Sequence, residues 1–132
     1  MNHAFRLDFK VRDYECDLQG IVNNAVYQNY LEHARHEFLL EKGVDFAALS
    51  RAGTNLVVVR AELDYKASLT SGDHFWIDLR LVPNGRLRFD FMQDIVRAHD
   101  EALCVRAKIT GAAINARGRP FLPDEVTHLF SN

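Results

Sequence analysis

Asp17-Leu18-Gln19-Gly20-Ile21-Val22-Asn23-Asn24-Ala25-Val26-Tyr27 decides how this chain is read. A carboxylate and a glycine precede two asparagines, and from Ala25 the sequence takes on helical periodicity. Val26, Tyr27, Tyr30, Leu31, Ala34 and Phe38 fall on one apolar stripe, with Gln28, Glu32, Arg35, His36 and Glu41 on the other side. Asn23 or Asn24 is a good N-cap, and Gly43 stands where a left-handed C-terminal residue is expected. The predicted helix covers about 18 residues, roughly 27 Å at 1.5 Å per residue. Its first turn offers unpaired backbone N–H groups and a partial positive charge, so it can hold an oxyanion or polarise a carbonyl. A carboxylate a few residues upstream can attack that carbonyl or activate water. The pattern points to acyl-transfer chemistry.

On either side of this stretch the period is two. Phe5, Leu7, Phe9 and Val11 alternate with Arg6, Asp8, Lys10 and Arg12, the mark of a strand with one buried face. A polar loop over 13–23 links that strand to the helix. Residues 45–52 read as one or two further helical turns, capped by Asp45 and stopped by Gly53. Beyond them come strands: Val59, Ala61, Leu63 and Tyr65 on one face, then Phe75, Ile77, Leu79 and Leu81, then Leu87, Phe89 and Phe91, then Leu103, Val105, Ala107 and Ile109. Ser71-Gly72-Asp73, Pro83-Asn84-Gly85 and residues 98–101 supply the turns. Arg117-Gly118-Arg119-Pro120 ends the last long strand, and a short helix is expected over 124–130.

This order specifies an α+β fold. A helix apolar along one face must be covered, and a strongly curved antiparallel sheet of about five strands wrapped around it does so economically. Such a sheet has two edges, which invites dimerisation through an edge strand. A chain of 132 residues is read as one domain over 1–132, large enough for a core without disulfide or metal. The net charge of −2 gives nucleic acid no bulk electrostatic attraction. Cys16 and Cys104 form no CxxC pair and no secretory signal precedes them, so a reducing cytoplasm is the expected setting. No apolar run approaches the roughly 18 residues of a membrane span.

The loop and helix, Tyr14-Glu15-Cys16-Asp17 through Val22-Asn23-Asn24-Ala25-Val26-Tyr27 to Asn29-Tyr30-Leu31-Glu32-His33-Ala34-Arg35, resemble the hotdog-fold acyl thioesterases. The similarity is to the 4-hydroxybenzoyl-CoA thioesterase-like superfamily. Within it, the Val-Asn-Asn-x-x-Tyr form is similar to long-chain acyl-CoA thioesterases and plant-type acyl-ACP thioesterases. Leu63-Asp64-Tyr65-Lys66-Ala67-Ser68 followed by Gly72-Asp73 resembles the family's second strand and turn. The resemblance implies that Asp17 is the catalytic carboxylate, as nucleophile or as general base on water. It also implies that amides at the helix start hold the thioester oxygen. Many relatives carry histidine where this chain has Asn24, which can donate a hydrogen bond but cannot shuttle a proton.

Asp17 and Asn24 are therefore the expected catalytic residues, and Gly20, Val22, Asn23, Ala25, Tyr27, Tyr30, Lys66 and Arg117 the expected substrate-binding set. Each has a plainer reading. Asp17 can cap a turn, Asn23 and Asn24 can cap the helix, Gly20 can relieve a turn, and Tyr27 and Tyr30 can be core. Lys66, Arg86, Arg88, Arg117 and Arg119 fall near strand ends or turns, where cations can meet coenzyme A phosphates. His33 and His36 read as solvated residues on the helix's polar face, without a third ligand at metal spacing. Cys16, with no evident histidine and base arrangement, reads as a small apolar filler.

The expected reaction is hydrolysis of a fatty or aryl acyl-CoA in a homodimer or dimer of dimers, with no metal and no cofactor beyond the coenzyme A of the substrate. Hydrolysis of acyl-ACP and non-catalytic acyl binding are the alternatives. A hotdog dehydratase is disfavoured, since the loop after Asp17 has neither the proline nor the histidine of an Asp-x-Asn-Pro-x-x-x-His pattern.

Overall fold

The computed structural model describes residues 5–131. Strand β1 (Phe5–Lys10) leads through a 3-10 turn at Asp13–Glu15 to helix α1 (Asn24–Glu41) and the short helix α2 (Phe46–Arg51). Strands β2 (Asn55–Tyr65), β3 (His74–Asn84), β4 (Arg88–Arg97) and β5 (Leu103–Ile114) follow, then a two-residue strand β6 (Pro120–Phe121) and a last helical turn α3 (Asp124–Thr127). The strands form one antiparallel sheet in the order β1-β3-β4-β5-β2, with β6 added to β5. β1 and β2 are therefore its two long edges.

The ends of α1 are set locally. The Asn23 side chain accepts the Ala25 N–H at 2.9 Å. At the other end Gly43 takes φ +80°, the Val44 N–H reaches the Leu39 carbonyl at 2.8 Å, and the Gly43 N–H reaches Leu40 at 3.0 Å. That is the paired C-terminal closure that only a residue free to be left-handed completes. Asp45 caps α2 in the same spirit, accepting from Ala48 N–H at 3.0 Å.

The sheet curves around α1. Tyr27, Tyr30, Leu31, Ala34, Phe38 and Leu39 are buried on the helix. They meet Phe75, Ile77 and Leu79 of β3, Phe91 and Ile95 of β4, and Val105 and Ala107 of β5. Each such aliphatic side chain, withdrawn from water, contributes roughly 1.5–3 kcal/mol. One polar residue enters this layer. Gln93 is 1% exposed; its amide donates to the Leu31 carbonyl at 3.0 Å and its oxygen accepts from Arg35 at 3.1 Å.

Four features depart from the expectation. The alternation of β2 breaks at Val59, a bulge between Val58 and Arg60, so Val59 is 44% exposed and does not begin the helix-facing series. Paired residues share a face, so Val58 opposite Gly111 and Leu56 opposite Ala113 take its place there. The loop over 13–23 contains a 3-10 turn, and the 117–120 turn closes a hairpin onto β6. Of the expected terminal helix only Asp124–Thr127 forms, after which Phe130 bridges to Leu81. Among the described residues no helix is long and apolar enough to cross a membrane.

Candidate active site

The chain from Cys16 to Val22 is a tight excursion closed by a bridge between those two residues. Inside it, Gly20 N–H donates to the Asp17 carbonyl at 3.0 Å and Asp17 N–H to the Ile21 carbonyl at 2.9 Å. Gly20 sits at φ +81° with open space where a side chain would be, so the turn alone accounts for this glycine. Asp17 Oδ1 accepts the Gln19 N–H at 2.8 Å, which fixes the carboxylate by one oxygen and leaves Oδ2 without a partner among the described residues. The side chain is exposed at the tip of the excursion, next to a wholly exposed Leu18.

The excursion is stitched to the segment after β2. Val22 N–H donates to the Leu69 carbonyl at 2.9 Å, and Ile21 bridges Thr70. The Leu69 N–H in turn donates to the buried Tyr27 hydroxyl at 2.9 Å. Arg97 clasps Asp100 with two hydrogen bonds of 2.9 and 2.7 Å and donates to the Ser68 carbonyl at 2.7 Å. The guanidinium beside Asp100 holds that carboxyl well below the usual range.

Between these pieces lies a groove of about 190 Å³ lined by Ile21, Val22, Asn24, Tyr27, Tyr65 and residues 66–68. In the first turn of α1 the Ala25 N–H is taken by the Asn23 side chain and the Val26 N–H by the Asn23 carbonyl. The Asn24 N–H has no acceptor among the described residues. The expected oxyanion donor is thus one backbone amide, flanked by the exposed Asn24 side chain, rather than a cluster.

The structure brings Val22, Asn24, Tyr27 and Lys66 together and leaves other expected residues outside the groove. Asn23 and Ala25 are engaged in capping. Tyr30 points to the opposite side, where its hydroxyl donates to Glu15 at 2.7 Å beside a separate groove of about 520 Å³. Burial, then that hydrogen bond, pushes the Tyr30 hydroxyl pKa far up, so it stays protonated. Arg117 lies in the β5–β6 turn, its N–H bonded to Asn115, at the other end of the sheet. Burial and the neighbouring Asp13, Asp17 and Glu15 push the Cys16 thiol up, which disfavours a thiolate.

A larger cavity of about 380 Å³, unforeseen in the sequence, opens beside the C-terminal half of α1. Leu39, Phe46, Leu56, Phe89 and Phe91 make its apolar wall, and Glu32, Arg35 and His36 its helical one. Arg35 and His36 are half-buried rather than solvated; the His36 ring lies 4.8 Å from that of Phe46. His33 is the exposed member, 3.9 Å from Glu37. Gly111 lets the Phe89 ring pack against β5 in the cavity wall, since a Cβ there would meet that ring at 2.5 Å. The run Gly111-Ala112-Ala113 within a strand was the available signal. No group of three or more His, Cys, Asp or Glu that could hold a metal occurs among the described residues.

The model of the thioesterase-like superfamily matches residues 11–130. This chain belongs to that superfamily. It is 35% identical over 127 residues, 96% of its own length and 68% of the relative's, to the chloroplastic acyl-acyl carrier protein thioesterase ATL2 of Arabidopsis thaliana. Its fold superposes on a 1,4-dihydroxy-2-naphthoyl-CoA thioesterase from Synechocystis with a TM-score of 0.89 at 20% identity, covering 96% and 95% of the two chains. A hypothetical protein from Aquifex aeolicus gives a TM-score of 0.86 at 29% identity over 96% and 99%. The helix wrapped by the curved sheet is the hotdog fold, and the superfamily member described here is a thioester hydrolase.

Proposed function

We propose that the chain hydrolyses a fatty or aryl acyl-CoA thioester to free acid and coenzyme A, at a site completed across a homodimer. The observation that carries this reading is two unspent groups on successive segments, Asn24 lining the groove and Asp17 standing exposed outside its lining. Asp17 has one oxygen fixed and one open, and the Asn24 N–H at the adjoining helix start awaits an acceptor. A thioester carbonyl held at that amide would place its developing negative charge on a donor at the positive end of α1. Asp17 would then attack the carbonyl carbon to give a mixed anhydride that water opens, or take the proton from an attacking water. In either route the sulfur departs with the electron pair of the broken C–S bond and leaves as the thiol. No metal and no cofactor other than the substrate's coenzyme A enters.

Support for the dimer comes from what one protomer leaves bare. Val58, Val59 and Tyr65 on the free edge of β2, with Tyr14 and Leu18 near Asp17, are exposed large hydrophobic residues. Pairing two β2 edges antiparallel about a twofold axis would cover them and extend the sheet. The same symmetry would carry the end of one β2, and the helix start beside it, to the beginning of the other, where the larger cavity opens. A dimer of dimers would be built on that unit. Both cysteines are free, in keeping with a reducing compartment such as the cytoplasm.

A second reading, an acyl carrier protein as the thiol carrier, is favoured by the identity to the Arabidopsis relative. Arg86, Arg117 and Arg119 in the connecting segments and Arg88 at the start of β4 are exposed at one end of the sheet, where an acidic carrier could dock. One assay separates the two: release of free thiol from acetyl- through palmitoyl-CoA and benzoyl-CoA, set beside the same acyl groups on carrier protein. Faster turnover of the coenzyme A series supports the first reading and the reverse supports the second. No thiol release from any substrate would sink both.

A further inference from the structure

Three polar side chains of α1, Glu32, Arg35 and His36, line the larger cavity beside its apolar residues, and Arg35 is the only cation among them that keeps its charge at neutral pH whatever its surroundings. Phe46, Leu56, Phe89 and Phe91 make a wall suited to hydrocarbon or an aromatic ring, yet Arg35 projects among them from α1. A guanidinium carries five N–H donors. Among the described residues, that of Arg35 has one hydrogen-bond acceptor, Gln93 Oε1 at 3.1 Å, and no carboxylate within 4.0 Å. Gln93 is itself locked by its bond to the Leu31 carbonyl, so the arginine is aimed rather than free to leave for water. The charge also stands 5.9 Å from the centre of the Phe91 ring, which holds it over the apolar wall. Burial lowers the pKa of this group, the mark of a cation short of solvent, though an arginine remains charged at neutral pH.

We infer that this cavity is a subsite for the far end of the acyl group, and that Arg35 selects acyl groups bearing a carboxylate or hydroxyl oxygen remote from the thioester. The wall would take up the carbon skeleton while the free N–H groups of Arg35 meet the oxygen. An acyl group ending in a methyl would leave those donors in a half-buried place without a partner. The inference rests on the thioesterase reading above and adds the substrate class to it.

The test compares kcat/KM within matched pairs: octanoyl-CoA with 8-hydroxyoctanoyl-CoA and octanedioyl-CoA, and benzoyl-CoA with 4-carboxybenzoyl-CoA. In the parent protein the oxygenated member of each pair is expected to be favoured about tenfold to a hundredfold, the worth of a hydrogen bond to a charged group. The carboxylate and hydroxyl arms report which oxygen is preferred. In Arg35→Met the ratio within each pair is expected to collapse towards one. Arg35→Lys, which keeps the charge with fewer donors, is expected to retain part of it and serves if the methionine variant fails to fold. Equal turnover within the pairs by the parent protein, or an unchanged ratio in the variants, overturns the inference and leaves the thioesterase reading intact. Loss of the dimer in Arg35→Met with the ratio preserved overturns it too, by making the guanidinium an interface ion pair. No turnover of any substrate takes down the thioesterase reading and this inference together.

Discussion

The two ends of α1 are built to opposite plans. At its start stand an open carboxylate oxygen, an unpaired amide, and a narrow groove of about 190 Å³ braced by Tyr27 and Arg97, apart from the groove beside Tyr30. Towards its end lies a cavity of about 380 Å³ with aromatic rings on one side and Glu32, Arg35 and His36 on the other. Asn24 and Arg35 are eleven residues apart, about 16 Å along a helix. Within one protomer a short acyl group cannot use both. The contrast fits the proposed homodimer, in which one copy would supply the reacting groups and the other the acyl pocket.

The sharpest break is at the reacting end. Asp17→Asn keeps an oxygen for the Gln19 N–H but removes the proposed nucleophile or general base, so kcat is expected to fall at least about a hundredfold with the melting curve nearly unmoved. Free-thiol release and thermal unfolding on one preparation decide it, and unimpaired hydrolysis would sink the role given to Asp17. Next in size is the loss of the second copy. Val59→Lys puts a charge on the bare edge of β2, outside both cavities. It should shift the protein to monomers by sedimentation velocity, with activity falling in step. A fully active monomer would dissolve the comparison.

The roomy end is probed by Gly111→Ala. The new methyl would press on the Phe89 ring, which is 2% exposed and cannot swing into solvent. A loss of roughly 1–3 kcal/mol in urea unfolding is expected, with the longer acyl groups turned over less well. The smallest effect concerns the brace. Tyr27→Phe deprives the Leu69 N–H of its acceptor and should cost about 1 kcal/mol, the lower end of the range because the adjoining groove admits water. Hydrogen exchange at the Leu69 amide should speed up while that of the β4–β5 ladder does not.

What the sequence disclosed follows from how local each determinant is. The limits of α1 were legible because Asn23 and Gly43 act within a few residues of themselves. β1 and β3 were legible because one face of each is wet, and alternation records that, whereas β5, buried on both faces over much of its length, keeps the signal only around Arg106 and Lys108. β2 was legible only in part, since Leu56-Val57-Val58-Val59 is apolar throughout and carries no phase to show where the bulge falls. His36 was read as solvated because helical periodicity does not know that α2 folds back to bring Phe46 against it. Asp17 shows a different limit. A residue that caps a turn and one that acts on a thioester can be the same aspartate, so the pattern supports both readings and the fixed Oδ1 with its open Oδ2 is consistent with both.

The buried Gln93 amide carries a last consequence. Apolar side chains pack against one another with little preference for axial position, so a greasy cylinder in a greasy trough can creep lengthwise. The bond from Gln93 to the Leu31 carbonyl is a dowel against that creep. It indexes the cylinder to one strand, and through it sets how far the tip stands from the turn that carries the acid. A methionine of similar bulk at this position would spare the core a polar atom and surrender the calibration.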